Sequence, residues 1–117
     1  MASRVMRGEV WFYSFRKPDK RRPVLVLSRQ EAIEVLGTVM VAPITSTIRG
    51  LPSEVPVGVA EGLKHASAVN LDHVQTVEQA RLERRVGRVA RATMLAVCRA
   101  LAVATACDAA SGPAGDV

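Results

Sequence analysis

The chain has 117 residues, a length typical of one domain, and 49% of them are hydrophobic, which is enough for a core without disulfide support. Its net charge of +5 at pH 7 favours an anionic partner such as nucleic acid or an acidic protein segment. Because no signal peptide is visible and no stretch approaches the roughly 20 apolar residues of a membrane span, we expect a cytoplasmic protein.

Hydrophobic patterning predicts several short strands followed by one helix. Valine is concentrated in the first part of the chain and alanine in the last part, which favours strands first and a helix afterwards. The predicted strands are, in chain order, 10–15, 23–28, 38–42, 54–59, 68–71 and 85–89, with a further turn or strand within 72–77. An amphipathic helix is predicted from residue 91 to about 107, with an apolar face formed by Met94, Leu95, Cys98, Leu101, Ala102 and Thr105.

Prolines and chain ends set the expected boundaries. Pro43 is predicted to close the third strand, and Pro56 to place the fourth strand at an edge or a bulge. Residues 1–5 are expected to be an extension without structural role, 6–107 the domain and 108–117 a disordered tail. Short strands at hairpin spacing with a terminal helix favour a small antiparallel barrel, mainly β, over a βαβ fold.

Polar residues interrupt the apolar segments at three strand ends. They are Arg22, the cluster Thr45, Ser46, Thr47 and Arg49, and the segment Asn70, Asp72 and His73. If the strands bring these ends together, they form a basic pocket with hydroxyl donors, a carboxylate and an imidazole, which suits a phosphodiester. Arginine is well suited to phosphate because its planar guanidinium makes paired hydrogen bonds and stays charged. Alternatively, each group serves its own turn, an ion pair or solvent.

Five segments in order resemble the MazF/PemK toxin family. They are Arg7-Gly8-Glu9-Val10-Trp11, the segment 22–28 beginning Arg22-Pro23, Val41-Ala42-Pro43-Ile44-Thr45-Ser46, Leu51-Pro52-Ser53-Glu54-Val55, and the segment 69–77 around Asn70-Leu71-Asp72-His73. The resemblance runs from about residue 6 to 106. It implies a small SH3-like antiparallel β-barrel of the MazF/PemK/CcdB type with a C-terminal helix.

The resemblance also implies a function. It implies the toxin of a bacterial toxin–antitoxin pair, a homodimer that cleaves single-stranded RNA at specific sequences without a metal or other cofactor. The expected products carry a 2′,3′-cyclic phosphate and a 5′-hydroxyl, and the expected partner is an antitoxin with an acidic disordered segment. The resemblance maps catalysis onto Arg22, Thr45 and Asp72, and substrate binding is expected of Lys20, Arg21, Ser46, Arg49 and His73.

Several alternatives remain open at this stage. Either Asp72 or His73 accepts the proton of the attacking hydroxyl, and Trp11, Tyr13 or Phe15 either stack on bases or fill the core. The segment 17–21 is shorter than the glycine-containing loop of many family members, so RNA contacts of that loop do not carry over. The rival functions are a non-catalytic toxin of the same fold that poisons DNA gyrase, and a non-enzymatic nucleic-acid-binding module.

Overall fold

The computed structural model describes residues 4–16 and 20–107, and the predicted tail at 108–117 lies outside these residues. The described residues form one antiparallel sheet, in the order β4-β5-β3-β2-β1-β7, with β6 also paired to β3. The strands are β1 (Glu9–Ser14), β2 (Arg21–Val26), β3 (Thr38–Thr45), β4 (Glu54–Val57), β5 (Ser67–Asn70), β6 (Gln75–Glu78) and β7 (Arg85–Arg88). The helices are α1 (Gln30–Val35) and α2 (Arg91–Ala104), and 3₁₀ turns occupy Val59–Glu61, Leu71–His73 and Gln79–Arg81. The predicted class, mainly β with a C-terminal helix, is confirmed.

Strand β3 is longer than predicted because it continues through Pro43. Its first half pairs with β6 up to Val41, and its end pairs with β5 from Ile44 onward. Pro43 lies between these two partners, where the ladder on that side is interrupted and a backbone N–H is not needed. The prediction that Pro43 ends the strand is therefore wrong. Pro56, in contrast, lies in the edge strand β4, as predicted.

The two faces of the sheet bury separate hydrophobic clusters. One cluster, including Leu25 and Val69, lies against helix α2, and the other includes Val24 and Trp11. Residues Val24 and Leu25 are adjacent and belong to different clusters because successive side chains in a strand point to opposite faces. The continuous apolar sequence of β2 therefore marks a strand that is buried on both faces.

Helix α2 packs through a face that is rotated from the predicted one and shares only Met94 and Leu101 with it. Val97 and Ala100 are buried against the sheet, with Met94, Leu101 and Ala104 partly buried beside them, whereas Leu95 is 51% exposed and Cys98 is exposed. In this alanine-rich helix, small residues flank the inward face, so residue size alone did not distinguish the two neighbouring faces. The helix also ends at Ala104, three residues before the predicted end near Cys107.

The predicted fourth strand ends early, at Val57. Val59 begins a 3₁₀ turn and is 76% exposed, so the predicted extension of the strand to residue 59 is wrong. The turn ends at Gly62, which has a φ of +92°, and a Cβ there would meet the carbonyl oxygen of Val86. The backbone after the edge strand β4 thus lies directly on the other edge strand, β7, and needs a glycine to do so.

The domain begins before residue 6. Val5 is fully buried in the cluster that contains Trp11, and the guanidinium of Arg4 lies 4.6 Å from the Trp11 ring centroid. Arg4 also donates a hydrogen bond to the carbonyl of Leu82 at 2.6 Å. The expectation that residues 1–5 have no structural role is therefore wrong for Arg4 and Val5.

Glu9 is a buried carboxylate that links β1 to the neighbouring strand β7 and to the segment before β1. Its Oε1 accepts hydrogen bonds from the backbone N–H of Met6 at 2.9 Å and from Trp11 Nε1 at 3.0 Å. Its Oε2 accepts from Arg85 Nη1 on β7 at 3.1 Å. Buried charges are tolerated when they are paired and hydrogen-bonded in this way, so Glu9 of the first family-like segment has a structural role.

We expect Glu9→Ala to lower the free energy of unfolding by about 2–4 kcal/mol, because the Met6 and Trp11 donors both lose their partner. The matched control is Arg85→Ala, for which we expect about 1 kcal/mol since the side chain of Arg85 is 60% exposed. Urea unfolding of the three proteins measures both effects. Equal losses for the two variants would contradict this role of Glu9.

Candidate active site

A cleft of about 420 Å³ lies where the ends of β2, β3 and β5 meet. Its lining residues are Phe15, Arg22, Pro43, Thr45, Thr47, Arg49, Asn70, His73 and Gln75. All three predicted strand ends thus contribute to one site, and Arg22, Thr45, Arg49 and His73 are the predicted site residues that line it. Asp72, Lys20, Arg21 and Ser46 are not among the lining residues.

Strand register brings Arg22 and Thr45 together. Strands β2 and β3 pair Val24 with Pro43, and extending this register by two residues sets Arg22 opposite Thr45. Residues directly opposite in an antiparallel pair project from the same face, so both side chains reach the cleft. The side chain of Arg22 is exposed and makes no hydrogen bond or ion pair with the described residues, which leaves its guanidinium available to bind an anion.

Arg21 lies on the opposite face of β2 and is already engaged. Its Nε is 2.9 Å from Oε1 of Glu83, and its guanidinium carbon lies 4.1 Å from the ring centroid of Phe12. The two adjacent arginines therefore differ in role: one faces the cleft, and the other stabilises the opposite face. Their alternation along the strand predicts this difference, but the sequence does not say which arginine faces the cleft.

The hydroxyl of Thr45 is oriented by its own turn. Thr45 Oγ1 accepts a hydrogen bond from the backbone N–H of Thr47 at 3.0 Å. Since the oxygen is occupied as an acceptor of this bond, the hydroxyl hydrogen remains available to donate into the cleft. Thr45 is half-buried at the end of β3, whereas the next residue, Ser46, is exposed and is not among the lining residues.

The loop that carries Arg49 is fixed by Glu54. One oxygen of that carboxylate, Oε1, accepts hydrogen bonds from the backbone N–H groups of Arg49 at 3.1 Å, Gly50 at 2.8 Å and Leu51 at 3.3 Å. Gly50 has a φ of +73°, a conformation that glycine adopts without strain. The Glu54 carboxylate thus organises the turn after the hydroxyl cluster and holds Arg49 at the cleft.

Residues 70–73 form a hydrogen-bonded unit at the other side of the cleft. The Asn70 side chain accepts from the backbone N–H of Asp72 at 3.0 Å and lies 2.7 Å from His73 Nδ1. Asp72 itself is exposed, and its Oδ2 accepts a hydrogen bond from Ser53 Oγ at 2.5 Å. The structure therefore places His73 in the cleft and Asp72 beside it, against the segment that precedes β4.

The aromatic residues of the first strand are divided between core and cleft. Trp11 and Tyr13 are buried, whereas Phe15 is half-buried and lines the cleft, with its ring centroid 4.8 Å from that of Tyr13. Of the three aromatic candidates for base stacking, only Phe15 is placed for it. Lys20 is exposed just before β2, outside the lining.

Sequence reasoning missed several residues of this site. Gln75 and Pro43 line the cleft, and Glu54 and Ser53 support it, without having been chosen as candidates. Thr47, which was predicted only as a member of the hydroxyl cluster, also lines the cleft. Their signal in the sequence is weak because the roles depend on which strand ends become neighbours. Of these residues, only Glu54 could have been predicted from the sequence, because an acidic residue four positions after Gly50 can accept hydrogen bonds from the turn backbone.

The part of the chain that the structure describes contains neither a cluster of metal ligands nor a membrane-spanning helix. Within residues 4–16 and 20–107, no group of three or more His, Cys, Asp or Glu side chains is placed to hold a metal ion. In the same part of the chain, neither helix is long and apolar enough to cross a membrane.

Comparison with known proteins assigns the family. Residues 6–105 match the PemK-like, MazF-like toxins of type II toxin–antitoxin systems. A curated relative, the probable endoribonuclease MazF5 of Mycobacterium tuberculosis, is 48% identical over 103 residues, covering 87% of this chain and 94% of the relative. Another, the probable endoribonuclease MazF2 of the same species, is 35% identical over 102 residues, covering 86% and 98%. The chain belongs to the PemK-like, MazF-like family of toxin–antitoxin toxins.

Solved structures support the same assignment. The Mycobacterium tuberculosis toxin MazF-mt6 superposes with a TM-score of 0.79 at 37% identity, covering 86% of this chain and 98% of that one. A mycobacterial endoribonuclease in complex with its cognate antitoxin superposes with a TM-score of 0.78 at 28% identity, covering 86% and 94%. The curled antiparallel sheet with its C-terminal helix is thus the MazF toxin fold, as the sequence resemblance implied.

Proposed function

We propose that this toxin is a metal-independent, sequence-specific endoribonuclease that cleaves single-stranded RNA in the cleft containing Arg22 and Thr45. The observation that carries the proposal is that two hydrogen-bond donors line the same cleft. The Arg22 guanidinium makes no hydrogen bond or ion pair with the described residues, and the hydrogen of the Thr45 hydroxyl is available to donate. Both groups donate hydrogen bonds, and a phosphodiester in the cleft presents two non-bridging oxygens that accept them. The names of the relatives as endoribonucleases support the same activity.

The reaction that fits these groups is internal attack by the RNA itself. The 2′-hydroxyl loses its proton to a base, its oxygen bonds to the adjacent phosphorus, and the bond from phosphorus to the 5′-oxygen breaks. The departing oxygen takes up a proton, giving a 2′,3′-cyclic phosphate and a 5′-hydroxyl. Arg22 stabilises the negative charge on the phosphoryl oxygens in the transition state, and Thr45 donates a hydrogen bond to one of them.

Asp72 is the proposed acceptor of the 2′-hydroxyl proton. It lies next to His73 at the edge of the cleft, and the Ser53 bond engages only its Oδ2, which leaves Oδ1 for the substrate. For this role RNA has to extend beyond the lining residues toward the segment before β4. Arg49, held by Glu54, and Phe15 are proposed to position the backbone and a base.

We expect Asp72→Asn to lower kcat by about 10²-fold, because the amide does not accept the proton. The matched control is Ser53→Ala, which removes the bond to Asp72 while keeping the carboxylate. Single-turnover cleavage of a short RNA measures both rates. If Ser53→Ala lowers the rate as much as Asp72→Asn, Asp72 acts through its structural bond and the assignment as base is wrong.

The proposed partner is an antitoxin with an acidic disordered segment. A cleft with Arg22 and Arg49 in its wall, in a chain of net charge +5, attracts such a segment through the same positive charge that attracts RNA. A mycobacterial structure of an endoribonuclease with its cognate antitoxin is a precedent within the same fold. By the family resemblance we also infer a homodimer, with RNA bound along the interface, acting in the bacterial cytoplasm.

The decisive test of the function is incubation of the purified protein with a long RNA in excess chelator, followed by mapping of the cut sites. We expect discrete cuts at one short recognition sequence. Intact RNA together with inhibition of DNA gyrase supercoiling would instead establish the gyrase poison of the same fold. Salt-sensitive RNA binding without cleavage would establish a binding module.

A further inference from the structure

The orientation of the Asn70 side chain is fixed by an independent hydrogen bond. Asn70 is only 8% exposed, and one of its terminal atoms lies 3.0 Å from the backbone nitrogen of Asp72. A backbone N–H can only donate, so that terminal atom is the carbonyl oxygen Oδ1. The atom facing His73 Nδ1 at 2.7 Å is therefore the amide nitrogen Nδ2.

This orientation determines the tautomer of His73. The amide Nδ2 has hydrogens and no acceptor capacity, so the Nδ1 atom of the ring has to accept, without a proton of its own. The single proton of the neutral ring then lies on Nε2. If Nδ1 also carried a proton, two donors, Nδ1–H of His73 and the amide N–H of Asn70, would face each other at hydrogen-bond distance.

We propose that Asn70 is a positioning residue that fixes His73 as a neutral Nε2–H donor at the cleft, so that His73 contributes a hydrogen bond and does not accept the 2′-hydroxyl proton. The contribution to catalysis rests on the proposed function, whereas the tautomer rests on the geometry alone. Nε2–H in this position donates to a phosphoryl oxygen alongside Arg22 and Thr45. With Nε2 already protonated and Nδ1 facing the Asn70 amide, His73 has no nitrogen available for the 2′-hydroxyl proton, and Asp72 remains as the acceptor.

The tautomer is tested directly by nitrogen-15 NMR of the histidine ring. The chain has two histidines, so a His65→Gln background leaves the signals of His73 alone. With the ring neutral, we expect Nδ1 to give the signal of an unprotonated nitrogen and Nε2 that of a protonated one. In the same background, Asn70→Asp still accepts from Asp72 and now also accepts from Nδ1–H, so we expect the proton to move to Nδ1. A protonated Nδ1 before the substitution, or no change after it, would overturn the assignment.

Kinetics test the role in the reaction. The glutamine of His73→Gln keeps an N–H donor but exchanges no proton, so we expect a partial loss of kcat/KM that is smaller than the loss in His73→Ala, with both limbs of the pH–rate profile retained. His73→Ala removes the donor, and we expect a loss of about tenfold. The other charged groups at the cleft, Arg22, Arg49 and the adjacent Asp72, are the same in both variants.

The experiments distinguish a failure of the proposed role of His73 from a failure of the proposed RNA cleavage. Loss of one limb of the pH–rate profile in His73→Gln would show that the ring exchanges a proton and would overturn the proposed role. Absence of any RNA cleavage by the unmodified protein would overturn the proposed function. The NMR comparison uses no RNA, so its result decides the tautomer in either case.

Discussion

Arg22→Ala is expected to lower the rate of RNA cleavage by about 10³-fold while changing RNA affinity by less than about tenfold. The difference is expected because, in the proposed reaction, Arg22 is one of several cationic groups that bind the RNA backbone, but the one that lies across from Thr45 in the cleft where the reacting phosphorus is proposed to bind. Charge stabilisation that develops in the transition state affects kcat, whereas a single phosphate contact affects binding modestly. Single-turnover rates and filter binding of a short RNA at the same salt concentration measure the two quantities.

The chain provides a matched control in the neighbouring residue. Arg21→Ala removes the same charge one position away, but Arg21 faces Glu83 and Phe12 on the opposite side of the strand. We expect the cleavage rate of Arg21→Ala to stay within about threefold of the unmodified protein, since this substitution changes only the long-range electrostatics at the cleft. Equal losses for the two variants would show that net charge, and not the geometry of the cleft, determines the effect of Arg22.

Replacing the single nucleotide on the 5′ side of the cut by its 2′-deoxy form is expected to abolish cleavage. In the proposed reaction the 2′-oxygen is the nucleophile, and the deoxy nucleotide has no atom to replace it. The same substitution one nucleotide further away serves as the control, because it alters sugar contacts without removing the nucleophile. Both oligonucleotides are compared by gel electrophoresis after the cut site is known. Cleavage at an unchanged rate beside the deoxy sugar would exclude internal attack and leave hydrolysis by water.

The fold was largely readable from the sequence because its strands have distinct hydrophobic patterns. The apolar sequence of β2 predicts a strand buried on both faces, and Pro56 predicts an edge position; both are found. The errors fall where tertiary structure overrides local preference. Pro43 continues a strand because β3 changes partners there, and the alanine-rich α2 packs through Val97 instead of Leu95.

The candidate site was predictable at the level of strand ends but not of individual roles. The resemblance pointed to Arg22 and Thr45, and strand register brings them to one cleft. The supporting roles of Ser53, Glu54 and Asn70 depend on hydrogen bonds between segments that lie apart in the chain or on the exact turn geometry. Such contacts leave no periodic pattern, so the sequence alone did not separate Asp72 from His73.

Cleavage of RNA by internal attack in the cleft is tested by mass spectrometry of the products that the protein forms from a short RNA in excess chelator. We expect one fragment that ends in a 2′,3′-cyclic phosphate and one that begins with a 5′-hydroxyl, with neither formed by Arg22→Ala at the same protein concentration and time. Fragments with a 3′-hydroxyl and a 5′-phosphate, or the same products in equal yield from Arg22→Ala, would contradict it.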